Sequence, residues 1–99
     1  MTTNTIIDAA VAGFASYYHN RPYYTWATCE EANRIMWEQI AARVLNGNFT
    51  KAAEAHDYYM QLHAYPVPWS DISTRTRDRW VQAWWAMIRV RDTAIKTAA

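Results

Sequence analysis

The amino-acid sequence predicts an all-α fold of about four helices. Three observations carry this. The 99 residues contain only two glycines and three prolines, too few for the many turns of an all-β domain. Apolar residues recur three and four positions apart rather than in alternation. Finally, breaks at Pro22, Asn46-Gly47 and Pro66-Val67-Pro68 cut the chain into four helical segments. The expected architecture is one domain over residues 1–99, an antiparallel bundle-like packing with a Pro-rich extended connector before the last helix.

The first helix is expected from about Thr5 to Tyr18. There Ile6, Ile7, Ala10, Val11, Phe14, Tyr17 and Tyr18 share one face at 100° per residue. Pro22 ends it, because the residue before a proline avoids the helical region. In the second, Thr28-Cys29-Glu30-Glu31 fits a capping box and Asn46-Gly47 a C-terminal stop. Cys29, Asn33, Met36, Trp37, Ile40 and Val44 form its stripe, with Ile35 opposite. The third follows Thr50 as N-cap, with Ala52, Ala55, Tyr59 and Leu62 inward and His56 and His63 at the edge. Tyr65-Pro66-Val67-Pro68-Trp69 is then extended. Ser70 or Ser73 caps the last helix, which reaches about Lys96. Its inner stripe is Trp80, Trp84, Ile88 and Ile95, and Arg75, Arg79, Gln82 and Arg89 lie opposite.

Composition narrows the function classes. A net charge of +1 disfavours a polyanionic nucleic-acid mimic and by itself does not indicate a nucleic-acid binder. Six of the ten basic residues fall in positions 67–99 against three acidic ones, so only that third is mildly basic. The single cysteine excludes an internal disulfide and fits a reducing compartment. No apolar run approaches the roughly 20 residues that span a bilayer. The start Met1-Thr2-Thr3-Asn4-Thr5 lacks a basic signal-peptide segment. A cytoplasmic protein with no membrane partner is expected.

No motif carries catalysis. There is no Gly-rich phosphate loop, no G-x-S-x-G and no H-E-x-x-H. His56 and His63 stand seven residues apart, about 10.5 Å along a helix, too far to share one ion. Cys29, in the first turn expected for the second helix, has no histidine base placed beside it and reads as a small core residue. The expectation is a non-enzyme without metal or cofactor. Arg75, Arg77 and Arg79 begin the last helix, where arginines can grip phosphate oxygens, but Asp71 and Asp78 dilute them.

The aromatic residues say more. Tyr17-Tyr18, Tyr23-Tyr24, Tyr58-Tyr59 and Trp84-Trp85 are adjacent pairs. Neighbours on a helix point 100° apart, so both rarely face one core. Tyr, Trp and Arg are also the residues enriched at binding hot spots. Tyr23, Tyr24, Trp26, Tyr58 and Trp85, with Arg75, Arg79 and Arg89, are therefore the candidate partner-binding residues.

The segment Pro68-Trp69-Ser70-Asp71-Ile72-Ser73, followed by Arg77 and Trp80, resembles a pattern found in short bacteriophage-encoded accessory proteins. Trp69 and Ile72 would fold back on the first turn of the last helix like a hydrophobic staple. The resemblance spans about 15 residues. It implies a protein that binds and inhibits a host protein, a defence complex of the CRISPR type among the targets, in the bacterial cytoplasm. The alternatives are a nucleic-acid-binding module using the last helix's arginines, and a self-associating assembly protein closed as a homodimer by spare aromatics.

Overall fold

The structure is a computed structural model and describes residues 2–98. Among them are four α-helices: α1 (Thr3–Tyr17), α2 (Glu31–Leu45), α3 (Ala52–Tyr59) and α4 (Thr74–Ala98). Short 3₁₀ turns at Met60–Leu62 and Trp69–Asp71 flank the extended connector. No strand occurs among the described residues, so the fold is all-α and bundle-like, as the periodicity predicts. The molecule measures 42 × 28 × 21 Å. Its long axis matches α4, whose 25 residues rise about 37 Å.

Local chemistry sets the helix ends. Thr2, rather than a later threonine, caps α1 by accepting the Thr5 N–H at 3.2 Å. Thr28 does not cap α2. Its hydroxyl accepts the Thr25 N–H at 2.9 Å inside the preceding turn, so Glu30 takes the N-cap position and Cys29 lies before the helix. Gly47, at φ +80°, ends α2 in the left-handed region that only glycine enters without strain. Lys51, not Thr50, occupies the α3 cap. Thr50 instead gives its N–H and hydroxyl to Glu54 at 2.9 and 3.0 Å. That pair of bonds holds the Glu54 carboxyl below its ordinary value. Ser73 caps α4 through the Thr76 N–H.

The core is one aromatic layer filled in by small residues. Trp37 of α2 stacks on Trp80 of α4, with ring centroids 5.4 Å apart and planes 14° from parallel. Tyr17, Phe14 and Tyr59 pack around that stack. Ala9, Ala10, Ala41, Ala55 and Ala83 let the helices close in. Gly13 marks the tightest approach, since a Cβ there would meet Met87 Cγ at 2.9 Å. α1 and α4 form the most extensive helix pair.

Several expectations about facing are corrected. Tyr17 and Tyr18 are both buried, as the α1 stripe requires but against the rule that adjacent residues rarely share a core, because Tyr18 is the C-cap and leaves helical spacing. His56 is fully buried rather than at an edge, with its ring edge-on to Trp80 and Trp69. Leu62 and Ile95 are exposed. Leu62 lies in the 3₁₀ turn after α3, and Ile95 lies beyond the last core layer of Met87 and Ile88. No helix among the described residues is long and apolar enough to cross a membrane.

Candidate protein-binding surface

The eight residues of one segment, Gln61 to Pro68, are all exposed. Pro66 and Pro68 forbid helix, so the apolar side chains between and before them have no helical face to bury. Tyr65 and Val67 consequently stand in solvent, Tyr65 at 90% of its full exposure, and Leu62 joins them from the end of the 3₁₀ turn. Both ends of the segment are nonetheless fixed. At the start, the His63 N–H bonds the Met60 carbonyl at 3.0 Å and its ring packs 5.4 Å from Tyr59. At the return, Trp69 and Ile72 pack on the core, as a staple would. Arg77 donates to the Trp69 and Ser70 carbonyls at 3.2 and 2.8 Å. Arg77, one of the arginines that could have gripped phosphate, thus clamps the connector instead.

A second exposed tyrosine lies at the same end of the bundle. Tyr23 is 93% exposed, at the tip of the turn joining α1 to α2. That turn is tied to the base of the connector through Tyr18. The Tyr18 ring packs 4.8 Å from Tyr24, and its hydroxyl bonds that of Tyr59 at 2.9 Å.

The remaining candidates divide clearly. Tyr24 is part of the core rim. It packs on Phe14 and Tyr18, donates to Glu30 at 2.7 Å and accepts from Asn33 at 2.9 Å. Desolvation and the Glu30 bond push its hydroxyl pKa up to about 12, and the same bond lowers that of Glu30. Trp26 is half-buried edge-on against Phe14, and its carbonyl takes the Arg34 guanidinium. Tyr58 lies under Arg43, 4.3 Å from the ring centre, and bonds Gln39 at 2.8 Å. Trp85 is 48% exposed, with Trp84 edge-on at 4.9 Å.

Of the arginines, Arg79 is internal in function. It donates twice to the Tyr17 carbonyl, at 3.1 and 2.8 Å, and lies 4.2 Å over the Tyr17 ring. The side expected to face outward with Arg75 is therefore turned in at this position. Arg75 and Arg89 are exposed. Fourteen residues separate them, about 21 Å of helix. Cys29 is buried, bonds the Trp26 carbonyl, and has its thiol pKa raised by desolvation.

Reading helical faces misses Tyr65 and Val67 and turns Leu62 inward, although the two X-Pro steps are the visible signal that Tyr65 and Val67 have nothing to pack on. No family, curated protein or solved structure compared with this chain matches it.

Proposed function

We propose that the protein is a small docking protein of the bacteriophage accessory type, which binds a host protein and blocks its action. The observation that supports this is the fixed, wholly exposed segment 61–68 carrying Tyr65. An apolar loop held at both ends pays less ordering entropy on binding than a free one. Its chemistry suits a shallow groove with room for an aromatic anchor, and Tyr23 offers a second exposed aromatic at the same end of the bundle. The resemblance around Pro68-Trp69 supplies the host setting, with a bacterial defence complex of the CRISPR type as the target to examine first. The nucleic-acid alternative has less to stand on, because Arg77 and Arg79 already bond backbone carbonyls within the chain. The test is capture from a bacterial lysate with the wild-type chain and the Tyr23→Ala/Tyr65→Ala variant side by side. A protein held by the first and lost from the second supports the reading; identical captures contradict it.

A further inference from the structure

On the outer face of α4, Asp78, Gln82, Trp85, Arg89, Asp92 and Lys96 follow one another at intervals of four, three, four, three and four, the spacing of a coiled-coil seam. All six are exposed. This seam is far from silent chemically. Its centre is a half-exposed indole beside Arg89, and its ends carry opposite charge, Asp78 toward the N-terminus and Lys96 toward the C-terminus. Neither Asp78 nor Lys96 has an ion-pair partner among the described residues, and Asp92 meets only its neighbour Arg91, at 3.1 Å.

We propose that this face is a self-complementary surface on which a second copy of the chain docks antiparallel, about a two-fold axis midway between Trp85 and Arg89, at the level of position 87 along the helix. Such an axis pairs residues equidistant from position 87. Asp78 then meets the partner's Lys96, Trp85 the partner's Arg89, and Gln82 the partner's Asp92. Each pairing is favourable: an ion pair, a cation over an indole face, and an amide donating to a carboxylate. The two-fold repeats all three. A parallel, in-register arrangement sets Asp78, Arg89, Asp92 and Lys96 each against itself, so the charge pattern selects the antiparallel one. The seam runs about 27 Å and is one helix wide, which puts the contact in the weak class of interfaces. A micromolar dimer, weakened by salt, is the expected result. This inference is independent of the docking role of the connector, since none of the six seam residues belongs to segment 61–68.

The experiment is sedimentation equilibrium of the full chain across concentration at low salt. Wild type shows a monomer–dimer equilibrium. Asp78→Lys and Lys96→Glu each turn two attractive pairs into repulsive ones and weaken it about tenfold. Combined, they exchange the charges and restore association to within about threefold of wild type, although each opposes the α4 dipole. Trp85→Ala weakens it about thirtyfold, with the helical circular-dichroism spectrum unchanged because the side chain lies outside the core. A chain monomeric at every concentration, a dimer indifferent to Trp85→Ala, or a charge exchange that fails to restore what the single reversals remove would each overturn the proposal.

Discussion

Arg79→Ala should destabilise the protein far more than Arg75→Ala, although both residues are arginines near the start of α4. Arg79 joins α4 to the end of α1 by two hydrogen bonds to one carbonyl and by stacking over the Tyr17 ring. Bonds from a charged donor contribute about 1.5–3 kcal/mol, and a cation over an aromatic face adds roughly 0.5–1 kcal/mol. Because two donors share one acceptor, their contributions overlap, and about 2–3 kcal/mol is the expected total. For a domain of this size that lowers Tm by roughly 10–20 °C. Arg75 has no hydrogen bond or ion pair among the described residues, so its removal should change stability by less than about 0.5 kcal/mol. Arg79→Lys should recover only part of the loss, since an ammonium cannot reproduce the planar fork. Urea unfolding followed by circular dichroism measures all three. Equal stability of the two alanine variants would refute the assignment of Arg79 to the α1–α4 contact.

Two further outcomes follow from the core. Tyr24, Tyr17 and Tyr59 all have raised hydroxyl pKa values, each chiefly by desolvation, and Tyr24 reaches about 12 from an ordinary 10.0. The stability from keeping these phenols neutral is complete below pH 10 and is lost as pH rises through their folded-state values. Tyrosine absorbance titration should therefore show late ionisation coupled to unfolding above about pH 10; full ionisation with the helical spectrum intact would contradict it. His56 is fully buried, its Nδ1 3.0 Å from Asp57 and its Nε2 without a partner among the described residues. Replacing it by the similarly shaped Phe removes an unmet polar atom, so His56→Phe should be neutral or stabilising. A loss above about 1 kcal/mol in thermal unfolding would show that the Asp57 bond matters more than this.

The fold class and most of the core were legible because helical spacing is a direct consequence of burial. Cys29, Asn33, Met36, Trp37, Ile40 and Val44 all lie on the buried side, as their spacing requires. Periodicity reports an angle around a helix, however, and not the reach of a side chain. Arg79 stands on the flank of α4, and its long side chain swings back to the open carbonyl at the end of α1. Loop residues have no periodicity at all. Tyr24 and Trp26 return to the core because Glu30, Asn33 and Phe14 give them polar and apolar partners, contacts that only tertiary structure creates. The capping box at Thr28 failed for a similar reason, as Thr25 competes for the same hydroxyl. Tyr65 belongs to no helical face, and only the prolines beside it signal its exposure.

The proposed function places the docking surface on the exposed connector. Its most direct test is the affinity of Tyr65→Ala for the protein captured by wild type, measured by isothermal titration beside the melting temperature of each chain. Tyr65 touches little of its own chain, so its truncation should leave Tm within about 2 °C. As a binding anchor its loss should weaken affinity about thirtyfold or more. Tyr24→Ala is the contrasting control, lowering Tm markedly because its ring and hydroxyl belong to the core rim. Unchanged affinity of Tyr65→Ala for that partner, with the fold intact, would contradict the docking role of the connector.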